Sequence, residues 1–289
     1  MTQTARSAAG PCSLGVIGNP IAHSRSPEIH SHFAAQFDMA LDYQRVLAPV
    51  DGFADVAAGF LAAGGLGFNV TVPFKSAAAQ WVDELDPSAA LAGAANTVVL
   101  AATGTEPPRT RGYNTDGVGL IQDLERNLGF DLAGQRVLLL GAGGAAAGVL
   151  GPLLAAQIAQ LTLANRTPDK ARQLAQRFPG VQISTFEALA EPFDLVINAT
   201  SIGLENPSNS NKKQSFSDQI PDVAVRRARC YDMLYGPAAG FSQFALNAGA
   251  RSAADGLGML VEQAAAAFTL WFGHRPDTTP VISAMRAGQ

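Results

Sequence analysis

The sequence predicts an α/β protein of two units, each a mainly parallel sheet with helices packed against it. Three observations carry this. Short apolar runs alternate with amphipathic stretches along the whole chain, the pattern of βαβ units. At 289 residues the chain is longer than one hydrophobic core usually supports, so two units of about 100 to 150 residues are expected. Midway, the apolar run ending at Leu140 leads into Gly141-Ala142-Gly143-Gly144-Ala145-Ala146, a glycine turn that opens a helix.

Taken in order, residues 14–17, 41–46, 67–70 and 97–100 read as the strands of the first unit, with helices between them. Residues 136–140, 161–163, 193–198 and 229–231 repeat the pattern and supply the strands of the second. The boundary is expected at residues 112–117, which places residues 1–115 in the first unit and 116–255 in the second. The closing helices, from Gly256 to residue 289, fit against either unit on sequence alone. Residues 137–156 carry no charge over about the length of a membrane span. Their glycines and Pro152 instead mark a strand, a tight turn and a helix. Residues 204–221, rich in Asn, Ser and Lys and ending at Pro221, are expected to form a long exposed loop.

Composition narrows the function classes. Charged residues make up 15% of the chain, below the roughly 25% of typical globular domains, while alanine and glycine are plentiful; this favours close helix-on-sheet packing over disorder. A net charge of -4 with scattered lysines and arginines offers no basic stripe for phosphate backbones, so no nucleic-acid partner is expected. Cys12 and Cys230 are far apart and form no CxxC pair, which suggests neither a disulfide framework nor a zinc site. No membrane association is expected, and with no apolar run near the N-terminus the expected location is the cytoplasm.

The glycine turn points to a dinucleotide. In G-x-G-x-x-A after a strand, Gly141 permits the tight turn, Gly143 lets a pyrophosphate approach the backbone, and Ala146 lets the helix lie close to the strand. The helix N-terminus adds unpaired N–H groups and a partial positive charge. NAD sites usually carry an acid at the end of the next strand, whereas a 2′-phosphate needs a cation. Here that strand ends in Asn165-Arg166-Thr167, with Lys170 one turn later, and no acid is present. Arg166 can grip a phosphate through two parallel charged hydrogen bonds, so NADP is the expected cofactor. The alternative is that Asn165 and Thr167 cap the following helix and Arg166 is solvated.

Polar residues at strand ends of the first unit suggest a substrate site. Ser24 and Ser26 can donate to hydroxyls or a carboxylate, although Ser26-Pro27-Glu28 also reads as a helix start capped by Ser26. Asn69 and Thr71 share one face of an extended segment. Lys75 falls in the first turn of the next helix, where a cation opposes the macrodipole, and a local rule broken without visible compensation suggests function. Asp116 fits either a first-turn acid or a partner of Lys75. His30 and His32 point to different faces of a helix and, with His23, make a poor metal site, so no metal is expected.

Taken together, GNPIAHSRSPEIH, NVTVPFK, AGAANT, YNTDGVG, GAGGAA, NRT, NATSIG, YDMLY and ADGLGMLVEQAA occur in the order found in shikimate dehydrogenases, and from about residue 14 to residue 282 the chain resembles the NADP-dependent, biosynthetic form of that family. The resemblance implies reversible reduction of 3-dehydroshikimate to shikimate, in the pathway to the aromatic amino acids, and C-terminal helices that return to the first unit. It places the catalytic lysine and aspartate on Lys75 and Asp116, and substrate contacts on Ser24, Ser26, Asn69, Thr71, Asn96, Tyr235 and Gln263. Cofactor contacts fall on Gly141, Ala142, Gly143, Gly144, Ala145, Asn165, Arg166, Thr167 and Gly256, and the expected set also takes in Lys170, Thr200 and Met233. Lys170 departs from the family, which often has an arginine there; a lysine keeps the charge and loses the two-pronged geometry.

Two other readings remain at this stage. A quinate/shikimate dehydrogenase working with NAD would carry an acid in place of Arg166, and a non-enzymatic NADP sensor would lack the Lys75 and Asp116 pair. A monomer or a homodimer is expected.

Overall fold

The computed structural model describes residues 11–101, 108–200, 202, 215–236 and 239–288. The first sheet is built from β1 (Cys12–Gly18), β2 (Leu41–Leu47), β3 (Gly67–Val70), β4 (Glu84–Leu85), β5 (Thr97–Ala101) and β6 (Arg109–Tyr113), in the order β2-β1-β3-β5-β6-β4. β1 runs parallel to β2 and β3, β5 runs antiparallel to both its neighbours, and β4 is parallel to β6. Helices α1 (Ser26–Ala35), α2 (Phe53–Ala62), α3 (Lys75–Trp81) and α4 (Pro87–Ala92) lie between the strands. β4 and β6 escape the sequence reading because β4 has two residues and β6 buries only Thr110 and Gly112, so neither shows an apolar run.

A connecting helix, α5 (Asp116–Gln122), continues through a π-helical turn (Asp123–Asn127) into the second sheet. That sheet comprises β7 (Arg136–Leu140), β8 (Gln160–Ala164), β9 (Gln182–Ser184), β10 (Leu195–Asn198), β11 (Arg229–Asp232) and β12 (Ser252–Asp255). All its pairings are parallel, in the order β12-β11-β10-β7-β8-β9. The strand order therefore reverses between β7 and β10, which opens a crevice at their carboxyl ends. Helices α6 (Gly144–Ala155), α7 (Pro168–Ala175), α8 (Asp222–Val225) and α9 (Gly240–Asn247) belong to this unit. Both faces of β7 are covered: Val137 and Leu139 pack with Val149, Leu150 and Leu153 of α6, while Leu138 and Leu140 pack with Phe241 and Ala245 of α9.

The chain closes with α10 (Leu257–Phe272) and α11 (Thr279–Ala287). Leu257, Val261 and Phe268 of α10 and Met285 of α11 pack with Ile29 and Phe33 of α1, so these helices return to the first unit. α5 is held between the units. A Cβ on Gly117 would collide with Pro152 of α6 and come within 2.8 Å of the Gly148 carbonyl, so the close approach of α5 to α6 requires glycine there.

One expectation of the fold changes on contact with the structure, and another holds. Of the loop expected at residues 204–221, residues 204–214 lie outside the described residues, but the remainder is not an exposed loop. Phe216–Asp218 forms a 3-10 turn, and Phe216 and Ile220 are buried in the core with Phe241, whose ring centroid lies 5.3 Å from that of Phe216. Two apolar residues four apart are too few to register as a helical pattern. Residues 137–156 form β7, the glycine turn and α6, and no described helix is long and apolar enough to cross a membrane.

Candidate active site

β1 and β3 are adjacent and parallel, with Ile17 opposite Val70, so the segments leaving their carboxyl ends start side by side. Backbone bonds then tie these segments together: Thr71 N donates to Ile17 O at 2.9 Å, and Asn19 N to Val72 O at 3.0 Å. One segment carries Ser24 and Ser26, the other Thr71 and Lys75. Ser26 is the first residue of α1 and not its cap; Arg25 holds the cap position, with no side-chain capping bond. The Ser26 hydroxyl is instead within 3.2 Å of that of Ser24.

Lys75 opens α3, where no acid sits in the first turn to offset its charge. The compensation comes from another element. Asp116, first residue of α5, accepts from Lys75 Nζ on Oδ2 at 2.5 Å and from Asn96 Nδ2 on Oδ1 at 2.8 Å. The Asp116 side chain is 7% exposed and that of Lys75 22%, so the carboxylate is enclosed while the lysine keeps contact with the cavity. Asn96 is held in turn: the Thr115 N–H donates to its Oδ1 at 2.9 Å, and its Nδ2 also lies 3.0 Å from Thr115 Oγ1 and 3.4 Å from Gln263 Oε1.

In the second unit, Gly141 follows β7 with φ of +100°, a conformation costly for any residue with a Cβ. Gly143 caps α6 without a side-chain bond. A Cβ on Gly143 or Gly144 would meet nothing within 4 Å, so the backbone at the start of this 12-residue helix is open to close approach, and no side chain caps its first-turn N–H groups. At the neighbouring strand ends Asn198 and Asp232 anchor two loops. Asn198 Nδ2 donates to Asp232 Oδ1 at 2.9 Å while its own Oδ1 accepts from the Thr200 N–H and hydroxyl; Asp232 also accepts from the Leu234 and Phe241 N–H groups. Burial pushes the Asp232 carboxyl up to about 6.

A cavity of about 690 Å³ lies between the two units. Ser24, Ser26, Asn69, Thr71, Lys75, Asn96 and Asp116 line it from the first unit, Tyr235 and Gln263 from the later chain, and Ala145, Thr200, Met233 and Gly256 from the glycine-turn side.

Comparison with known proteins decides the family. The model described as the shikimate dehydrogenase substrate binding domain matches residues 16–98, that of shikimate / quinate 5-dehydrogenase residues 123–220, and that of the shikimate 5'-dehydrogenase C-terminal domain residues 256–286. A curated shikimate dehydrogenase (NADP(+)) of Aromatoleum aromaticum is 50% identical over 279 residues, 94% of this chain and 95% of that protein. The chain belongs to the shikimate dehydrogenase family.

Two solved structures are similar throughout. An Ael1 enzyme from Pseudomonas putida has a TM-score of 0.83 at 40% identity, covering 94% of this chain and 97% of that one. The shikimate 5-dehydrogenase from Thermus thermophilus, in complex with NADP(H) and shikimate, has a TM-score of 0.80 at 32% identity, covering 96% of this chain and all (100%) of that one.

Within this shikimate dehydrogenase fold, all nine residues expected for catalysis and substrate line the one cavity. Gly141, Ala142, Gly143, Gly144, Asn165, Arg166, Thr167 and Lys170 do not line it. They follow β7 and β8, at the end of the second sheet where the glycine turn lies. Thr167 occupies the N-cap position of α7 but makes no side-chain capping bond, and Asn165 Nδ2 donates to the Thr167 carbonyl at 2.8 Å. Sequence reasoning left Asn114, Thr115 and Thr97 without roles, although they sit inside motifs it singled out. Asn114 Oδ1 accepts from the Asp116 N–H at 3.1 Å and its Nδ2 donates to the Ala94 carbonyl at 2.9 Å, which ties α5 to the segment before β5. Tyr43 was beyond reach, since nothing local marks a strand tyrosine as part of a polar network.

Proposed function

We propose that this chain catalyses the reversible NADPH-dependent reduction of 3-dehydroshikimate to shikimate, with Lys75 and Asp116 as the proton-transfer pair. The carrying observation is that this ion pair faces the same cavity as Ala145, Thr200, Met233 and Gly256 of the glycine-turn side. The NADP(H) and shikimate of the similar Thermus thermophilus structure support the cofactor and the substrate. Residues 1–115 with 256–289 are assigned to substrate and residues 116–255 to cofactor. The enzyme is assigned to the cytoplasm, as a monomer or homodimer.

The open approach to Gly143 and Gly144 and the uncapped start of α6 suit a pyrophosphate, and Arg166 with Lys170 suits the 2′-phosphate. NADPH, when bound, supplies the hydride. The chain's own residues do the rest. Ser24, Ser26 and Tyr235 hold one end of the substrate, and Asn69, Thr71, Asn96 and Gln263 bind its hydroxyls. Lys75 faces the carbonyl oxygen, where negative charge develops as the carbonyl carbon is reduced, and transfers a proton to it. An ammonium has three donors, of which Asp116 takes one, so others remain for the substrate. Both Asp116 oxygens already accept hydrogen bonds, which fits Asp116 as the group that holds Lys75 in place.

Steady-state kinetics with shikimate and NADP test this reading. Lys75→Ala and Asp116→Ala should each lower kcat by roughly 10²- to 10⁴-fold, with the double variant little worse than the worse single one. A Lys75→Ala enzyme with normal kcat and a raised KM would make Lys75 a binding residue only.

A further inference from the structure

Through the cavity wall, four side-chain hydrogen bonds run head to tail from Tyr43 to Asp116, with Asn69, Asn96 and Asp116 lining the cavity and Tyr43 and Thr97 outside its lining. Tyr43 Oη donates to Asn69 Oδ1 at 2.6 Å, and Asn69 Nδ2 donates to Thr97 Oγ1 at 2.9 Å. Thr97 Oγ1 then donates to Asn96 Oδ1 at 3.0 Å, and Asn96 Nδ2 to Asp116 Oδ1 at 2.8 Å.

The direction of this chain is forced at every link. Asn69 Nδ2 also donates to the Asn96 carbonyl at 3.1 Å, and a carbonyl only accepts, so Asn69 must turn its oxygen toward Tyr43. The Thr115 N–H donates to Asn96 Oδ1 at 2.9 Å, so Asn96 must turn its nitrogen toward the carboxylate. Between two pinned amides, the Thr97 hydroxyl has one acceptor role and one donor role, and it fills both.

Tyr43 stands at the head. It lies on β2, the edge strand, is 8% exposed, and stacks on the fully buried His30 ring with centroids 4.4 Å apart and planes 7° from parallel. Burial pushes its hydroxyl well above the ordinary range, with Ser26 acting the other way, so the group remains a donor at working pH.

We propose that Tyr43 is a positioning residue for the Lys75–Asp116 pair, acting through Asn69, Thr97 and Asn96. The inference rests on the reading of that pair as the proton-transfer groups. Hydrogen bonds aligned in one direction polarise one another, so a donor lost at the head weakens the bonds downstream. Without Tyr43 Oη, Asn69 Oδ1 is buried and unpaired. Flipping the amide gives no relief, because it would set two oxygens against each other at the Asn96 carbonyl. The amide therefore loosens, and with it the bond that holds Asp116 Oδ1.

Tyr43→Phe removes one hydroxyl and keeps the stacked ring; Thr97→Val cuts the same chain two links on and leaves Tyr43 untouched. NADPH titration and thermal unfolding report whether each variant is folded. Each should lower kcat for shikimate about 5- to 20-fold, with a smaller change in KM, and the double variant should be no slower than Thr97→Val alone. Multiplying single effects in the double variant, or normal kcat in a folded Tyr43→Phe or Thr97→Val enzyme, would overturn the proposal. Asp116→Ala separates the two levels of the argument. If it keeps normal kcat, the proton-transfer reading fails; if it is inactive while the cycle is additive, only the role of Tyr43 fails.

Discussion

The Tyr231 hydroxyl donates a 2.6 Å hydrogen bond to the buried Asp123 carboxylate, joining the second sheet to the π-helical turn that follows α5. Asn127 extends the link, donating to Asp123 Oδ1 at 2.9 Å and to Glu262 Oε1 of α10 at 3.2 Å. Glu262 also takes bonds from Arg275 at 2.9 Å and Thr278 at 2.7 Å. A continuous polar path, buried at Asp123 and Glu262 and exposed at Asn127, thus crosses the seam between the two units. Burial pushes the Asp123 carboxyl up, and the Tyr231 and Asn127 bonds pull it back.

Tyr231→Phe should leave the Asp123 carboxylate without its shortest donor, at a cost of about 1 to 3 kcal/mol. For a chain of this size that lowers Tm by several degrees, roughly 2 to 4 °C per kcal/mol. Differential scanning calorimetry measures it, and an unchanged Tm would mean that water replaces the hydroxyl.

Arg166→Asp should turn the cofactor preference. Removing a charged partner of the 2′-phosphate costs about 1.5 to 3 kcal/mol, and the added carboxylate repels the phosphate while accepting from a free ribose hydroxyl. KM for NADP should therefore rise at least about 10-fold more than KM for NAD. Equal losses for both cofactors would show that Arg166 does not read the phosphate.

His30 makes the fold acid-sensitive. Burial pushes its pKa from 6.5 down to about 3, and no hydrogen bond among the described residues meets either ring nitrogen. Above pH 6.5 the ring is neutral in both the folded and the unfolded chain and has no effect on stability. Below it the unfolded chain binds a proton that the folded chain refuses, so stability falls as pH drops toward about 3. The slope is on the order of 1.4 kcal/mol per pH unit. The buried Asp232, pushed up to about 6, works in the opposite sense, so the comparison isolates His30: urea unfolding at about pH 7.5, 6 and 5 should show stability falling more steeply on acidification in the parent than in His30→Phe. Identical slopes in the two proteins would place the acid sensitivity elsewhere.

Much of the architecture is local in origin and was legible for that reason. The glycine turn after residues 136–140 announces itself because a positive φ at Gly141 and a helix start at Gly144 are both properties of a few adjacent residues. Alternating or continuous apolar runs likewise mark β1, β3, β7 and β10, which pack on covered faces. β6 was hidden because it buries a threonine and a glycine, and the 215–221 segment because two apolar anchors look like a loop.

The residue types of the site were also legible, including Lys75 as a cation misplaced in a first turn. Pairing was not. Whether Asp116 serves α5 or Lys75 depends on a contact between residues 41 positions apart, and the close approach of Gly117 to Pro152 seats the start of α5 against α6. Tyr43 and Asn69 are separated by 26 positions, and the direction of their bond depends on acceptors contributed by Asn96. Sequence by itself determined the turns, the strand order's raw material and the chemistry available, because those follow from neighbours along the chain. Only the tertiary structure decided which donor meets which acceptor, because hydrogen-bond direction is fixed by groups that folding brings together from separate strands and helices.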